Sequence, residues 1–352
     1  MTEAAGELWG AVDRLLQGAE ADGILVHRLG ALAARRLRRL GRPVPPELNA
    51  ADRAAATSAM LARPLLERIR SLCDGPLVLI KGPEVARLYP GGARNFSDVD
   101  LLVLDPRHVH DALKAKGFVE VDDPELFVDH HHLRPLLSPS FGLKVEIHSS
   151  LPWPDGIEPP ALREIVEAAG PSKTGVEGIS APADRHHALI LAAHAWVHDP
   201  LGTLRDVVDV AAVAADIPEH ELDRAARAWG IHRIWRTTSA VAGALLDGRP
   251  QPLPLRIWAR HLEHVRERTV LENHLERWLH SFSERPPAAA LGATVSVLRQ
   301  EFLPTPGEPW RHKLIRVAHA FRHPRAPLSS HIADWRKAAT RDEADERRVG
   351  RH

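Results

Sequence analysis

Four residues stand out by type and spacing. Asp98 and Asp100 sit two apart just before the run Leu101-Leu102-Val103, and Glu146 and His148 sit two apart in Lys144-Val145-Glu146-Ile147-His148. Alternate side chains of a β-strand share a face, so each pair projects together from its own strand, with Val145 and Ile147 turned the other way. Paired carboxylates on one face repel and desolvate each other unless a cation lies between them. Hard divalent ions such as Mg²⁺ or Mn²⁺ take oxygen sites of this kind and share them with substrate phosphates. If the two strands are neighbours, Glu146 is a third carboxylate at the same place. Three carboxylates around two ions suit in-line phosphoryl or nucleotidyl transfer, one ion activating the attacking oxygen and the other holding the leaving pyrophosphate.

Upstream, the apolar run Pro76-Leu77-Val78-Leu79-Ile80 leads into Lys81-Gly82 and then Pro83. Glycine lets backbone N–H groups approach a phosphate, and the start of a helix favours negative charge. Lys81 adds a direct positive charge there. Arg94, just before the first aspartate, joins Lys81 and Gly82 as a candidate phosphate-holding group, and Ser97 and His148 complete the candidate cofactor-binding set. Each has a plainer reading. Lys81 could be a solvated strand end, Arg94 a structural partner of Asp98, and His148 a group that orients a carboxylate rather than reacting.

The elements that must position these groups fall into three zones. Residues 1–72 carry apolar residues at helical spacing, broken at GRPVPPELN, and read as an N-terminal helical segment. Residues 73–155 switch to short β-type runs (PLVLI, DVDLLVL, GFVEV, LRPLL, LKVEIHS) separated by PEVARLY, about two helical turns, and by the helix PRHVHDALKAKG. This is an α/β (α+β) core on a small mixed sheet. Residues 156–340 begin with a Pro- and Gly-rich linker and continue as amphipathic helices, a C-terminal helical domain expected to pack against the sheet. Residues 341–352 form a charged tail.

The wording VLIKGPEVARLYP, then ARNFSDVDLLV, then VEIHSSL resembles the polymerase-β-like nucleotidyltransferase superfamily, in a bacterial branch of uncharacterised nucleotidyltransferases. The resemblance covers about Glu7 to Ala215 and is most specific between Ile80 and His148. It implies that Asp98 and Asp100 are the metal-binding pair, Glu146 the third acidic position and Gly82 the glycine of the phosphate turn. The departure lies at Pro83, where the superfamily usually has a second Gly or a Ser. The implied activity is transfer of a nucleoside monophosphate from an NTP to a hydroxyl on a small molecule, peptide or protein. A nucleotide-sugar or other diphosphate donor, and a nucleotide-binding module without turnover, are the rival readings.

Composition narrows the partners. Lys+Arg and Asp+Glu both total 46, so the net charge calls for neither nucleic acid nor an anionic membrane. Cys73 is the single cysteine, which excludes an intramolecular disulfide and a thiolate zinc site. No apolar run is long enough to span a bilayer, and no signal peptide opens the chain, so a cytoplasmic location is expected. Zinc at His130-His131-His132 is not expected, since successive strand residues alternate faces. Further on, His187, Leu191, His194 and His198 fall on one helical stripe that could line the cleft or pack on the sheet. Arg205, Asp206 and Asp209 are polar positions in an otherwise apolar helix, open to substrate contact, capping or salt bridging.

Overall fold

Prolines and glycines divide the chain into its elements. The computed structural model describes residues 3–127, 131–305 and 308–330; the tail at 341–352 and His130 lie outside them. Helices α1 (Glu3–Leu15), α2 (Ala21–Val26) and α3 (Gly30–Arg39) lead to a break at residues 40–45. Pro46 then opens α4 (Pro46–Leu72) from a position where its missing N–H is harmless. Next come β1 (Leu77–Leu79), α5 (Pro83–Ala86), β2 (Asp98–Leu102), α6 (Pro106–Lys114), β3 (Val119–Glu120), β4 (Leu136–Leu137) and β5 (Lys144–His148), in the expected order. Asp105 caps α6 by accepting the His108 N–H. The expected two turns of PEVARLY shrink to the single turn of α5. Pro90 holds Tyr89 extended (φ −78°, ψ 142°), so the helix cannot continue.

The Pro- and Gly-rich stretch read as a linker contributes more than a connection. It forms α7 (Leu162–Ala168) and two short strands, β6 (Gly170–Pro171) and β7 (Ile179–Ala181). Among the described residues the result is a seven-stranded mixed sheet in the order β3-β4-β5-β2-β1-β7-β6. Pairing is parallel between β2 and β5 and between β1 and β7, and antiparallel between β1 and β2. The rest of the chain is helical: α8 (Asp184–His198), α9 (Leu204–Ala214), α10 (Glu219–Ala228), α11 (His232–Leu246) and further helices between Leu253 and Ala320. No helix among the described residues is long and apolar enough to cross a membrane.

Strand alternation splits the core in two. Leu77, Leu79, Val99, Leu101, Val145 and Ile147 face α4 and α6, where they meet Leu65, Leu66, Ile69, Val109 and Leu113. Val78, Ile80 and Leu102 face the other way, into a core shared by α1, α8, α9 and α11. Asp98 and Asp100 have the parity of Leu102, so they lie on this second face, towards α8 and α9. Two polar ties hold the helices there. His187 of α8 donates from Nε2 to the Ile80 carbonyl oxygen at 2.8 Å. Asp209 of α9 accepts from Arg94 Nε at 2.8 Å, Arg94 Nη2 at 2.6 Å and the Tyr89 hydroxyl at 2.7 Å, all buried.

This pair has large consequences for stability, because removing one member strands the other's charge out of water. Asp209→Ala should therefore lower unfolding stability by about 3–5 kcal/mol. Urea denaturation checks it, and a loss below about 1 kcal/mol, the range of an exposed pair, would show that Arg94 finds solvent without Asp209.

Candidate active site

The β2–β5 ladder brings the acidic groups together. Its parallel register sets Asp100 opposite Glu146 and Leu102 opposite His148, with Asp98 one step further towards the strand end, opposite Lys144. These residues share a face by the period of two, and the third carboxylate expected from the sequence arrives beside the first two. Asp98, Asp100, Glu146 and Lys81 line one cleft of about 530 Å³, closed on the far side by His194 and His198 of α8 and Arg205 of α9. His148 lies beneath, fully buried, with Nε2 3.3 Å from Asp100 Oδ1.

Electrostatics separate the three acids. Burial and the charge of Asp100 raise the Asp98 carboxyl above the usual range, with Lys81, Arg94 and Arg205 opposing. Burial would raise Asp100 too, but the His148 hydrogen bond and the Lys81 charge overcome it and hold the group well below its ordinary value. Glu146 is pushed up to about 8 by burial and by the two aspartates. Across the cleft, Lys81 Nζ lies 3.2 Å from His194 Nε2, and burial together with that lysine holds His194 well below the usual histidine range. His194 is therefore a neutral neighbour of Lys81.

Gly82 serves the site through its backbone. It sits at φ +62°, and a Cβ there would come 2.7 Å from the Asp98 carbonyl oxygen, so only glycine lets β2 begin this close to the turn. Ser97 is exposed, with Oγ 3.4 Å from Asp98 Oδ2, and it lines a neighbouring cavity of about 370 Å³ that shares Arg28 and Arg205 with the cleft. Arg94 must be corrected. It is buried, its guanidinium is bound to Asp209, and it does not line the cleft. It influences Asp98 only as a nearby charge.

Two arginines stand where Arg94 was expected. Arg205 is 8% exposed, and its Nε is buried without a hydrogen-bond partner. Arg28 comes from the turn between α2 and α3, a segment in which the sequence signalled only packing. Its neighbour His27 positions it. His27 is buried, accepts the Leu204 N–H at Nδ1 and faces the His261 carbonyl with Nε2, tying the turn to the start of α9. Arg28 (φ +58°) and Asp122 (φ +68°) both line the cleft in the left-handed region, as strained residues at working sites often do. His132 was weighed only for zinc, but it lies with Nε2 3.6 Å from Glu146 Oε2.

The residues fit a divalent cation. Asp100, Glu146 and His148 each offer a ligand atom, all within 4.8 Å of one another. Asp100 Oδ2 and His148 Nδ1 are buried and make no hydrogen bond, whereas buried polar atoms nearly always have a partner.

A family model described as uncharacterised nucleotidyltransferase matches residues 13–247. No curated protein and no solved structure matches the chain.

The raised Glu146 carboxyl gives a signed prediction for the metal-free protein. Between its ordinary value of 4.5 and about 8, the folded chain holds a proton that the unfolded chain releases. Its contribution to stability is complete below the lower value and lost as pH rises towards the upper one. Glu146→Gln removes that titration. In EDTA, the variant's Tm should match wild type near about pH 5 and exceed it by at least about 2–4 °C near about pH 8. A difference that stays flat across this range would mean that Glu146 is ionised and unstrained in the cleft.

Proposed function

The chain belongs to a family of uncharacterised nucleotidyltransferases, and we propose that it is a divalent-metal-dependent enzyme of the polymerase-β type, moving a nucleoside monophosphate from an NTP to a hydroxyl on a small-molecule, peptide or protein acceptor. One observation carries this reading: Asp100 faces Glu146 across the β2–β5 ladder beside Asp98, on the floor of a cleft that Lys81, Arg28 and Arg205 also line.

In the reaction, the acceptor oxygen attacks the α-phosphorus in line. The bond to the β-phosphate oxygen breaks, and its electron pair leaves on pyrophosphate. Asp98 and Asp100 would hold an ion that travels with the triphosphate, and Asp100 and Glu146 one on the acceptor side. Divalent ions held there would lower the pKa of the attacking hydroxyl and neutralise the charge that builds on the leaving group. Lys81, Arg205 and Arg28 grip the outer phosphates, with His194 steering the lysine ammonium from behind. Glu146 stands beside the acceptor-side position and is the carboxylate nearest to hand for the acceptor's proton. Helices α8 and α9 close the cleft and choose the acceptor.

Pyrophosphate release from each NTP, with Mg²⁺ or Mn²⁺ and candidate acceptors, tests the activity. Release of a nucleoside diphosphate instead would move the donor to the nucleotide-sugar class. Asp98→Asn and Asp100→Asn should each remove nearly all turnover with little change in Tm. Glu146→Gln should keep NTP affinity and slow single-turnover transfer by about two to four orders of magnitude, roughly 3–5 kcal/mol of transition-state stabilisation. Near-normal turnover in any of the three would displace that carboxylate from the site.

Arg205 makes a separate prediction. Arg205→Ala should weaken NTP binding by about tenfold or more while lowering saturated turnover less, because its contacts are with phosphates that do not react. An unchanged Kd for NTP would return Arg205 to a purely structural role on α9.

A further inference from the structure

We propose that the metal centre is a mixed nitrogen–oxygen site in which His148 is itself a ligand, so that the resident ion is a first-row transition metal such as Mn²⁺ rather than Mg²⁺. This rests on the reading that the carboxylates of β2 and β5 hold a metal, and it adds a donor that the carboxylate set does not contain.

Geometry selects the histidine. The three groups with ligand atoms within 4.8 Å of one another are Asp100, Glu146 and His148, a set that includes the imidazole and leaves out Asp98. Register explains why. His148 follows Glu146 by two residues on β5, so both project from the same face into the same space. The ring is held in place before any ion arrives. It is fully buried and stacks on His131 at 5.4 Å between centroids, while His132 packs against it at 5.3 Å. A β-bridge joins His132 to His148, fixing the two backbones to each other. His132 also approaches Glu146, as an outer group that orients a metal-binding carboxylate would.

The contact atoms point the same way. Asp100 Oδ2 is buried without a hydrogen-bond partner, and His148 turns Nε2 towards the same carboxylate, 3.3 Å from Oδ1, so an oxygen and a nitrogen that metals bind stand side by side.

Donor chemistry then selects the ion. Mg²⁺ dehydrates reluctantly and prefers charged oxygen, so a neutral imidazole gives it little. Transition-metal ions gain from nitrogen, increasingly so along the series from Mn²⁺. A centre of two carboxylates and one imidazole discriminates between these classes where carboxylates alone discriminate weakly.

The test uses the full-length protein, without nucleotide and loaded with Mn²⁺. Pulsed EPR should show the ¹⁴N modulation of a directly bound imidazole in wild type, and labelling the histidines with ¹⁵N should shift it without any mutation. His148→Gln should abolish the modulation and weaken Mn²⁺ binding by about 10–100-fold, while changing Mg²⁺ affinity by less than about threefold. His132→Gln should keep the modulation. Mn²⁺ bound by wild type with no nitrogen modulation would overturn the proposal and leave the carboxylate reading intact, and modulation lost in His132→Gln but kept in His148→Gln would also overturn it. Mn²⁺ binding that Asp100→Asn and Glu146→Gln leave unchanged would overturn both the proposal and the reading beneath it. Because the wild-type isotope experiment needs no variant, a misfolded His148→Gln protein would not leave the question open.

Discussion

Three carboxylates on one half-buried sheet face repel one another, and much of this fold can be understood as what keeps Asp98, Asp100 and Glu146 together in spite of it. The β2–β5 ladder is the clamp. Its backbone hydrogen bonds fix Asp100 opposite Glu146 whatever their charges prefer, and the apolar residues between them lock the strands onto α4 and α6. The chain then relieves the repulsion unevenly. Asp100 stays ionised, supported by His148 and Lys81, while Glu146 retains its proton well into the neutral range. The metal-free site thus sheds one of its three charges, which a bound cation would restore.

The helices complete what the ladder begins. Arg94 and Asp209 join the loop before β2 to α9 through a buried ion pair, and His187 joins α8 to the end of β1. Both ties run between elements far apart in sequence, and both end within a few residues of the cleft. Helix α9 consequently presents Arg205 at a fixed distance from Asp98, and α8 presents His194 to Lys81. Buried pairs of this kind are poor sources of net stability but fix one arrangement strongly, since breaking them is costly. The cleft between the sheet and the two helices is thereby held in one geometry, as a site that aligned two substrates would need.

Much of this was legible in the sequence, for reasons that also explain what was not. The period of two in Asp98-Val99-Asp100 and Glu146-Ile147-His148 reports facing directly, so which side chains share a face was readable; that the two strands are neighbours was only a condition until the register was seen. The stripe of His187, His194 and His198 followed from helical spacing, yet its members divide the work, the first binding a backbone carbonyl and the others facing the cleft. Arg94 was misread because a basic residue four positions before an aspartate looks the same whether it points at phosphate or at Asp209, 115 residues away. Strands β6 and β7 are too short for any periodicity to register, and prolines and glycines surround them. Arg28 carried no signal, since its place depends on a left-handed turn and on the tie that His27 makes to α9.

Charge arithmetic in the cleft bears on the order in which its occupants arrive. Six carboxylates line the cleft, Asp98, Asp100, Asp122, Glu146, Asp199 and Asp206, against three cations, Lys81, Arg28 and Arg205, with His194 neutral. Arg205 is itself paired with Asp206, so a bare triphosphate would add its full negative charge to a site that already has an acidic excess. At the short separations of a half-buried cleft such an excess is strongly unfavourable. On the proposed reading, a divalent ion arriving with the nucleotide would cancel most of that excess beside Asp98 and Asp100. A second ion would have less help from phosphate oxygens and would depend more on the protein's own donors, Asp100, Glu146 and the imidazole of His148. One half of such a site would be completed by the substrate, while the other is built into the sheet by the β2–β5 register.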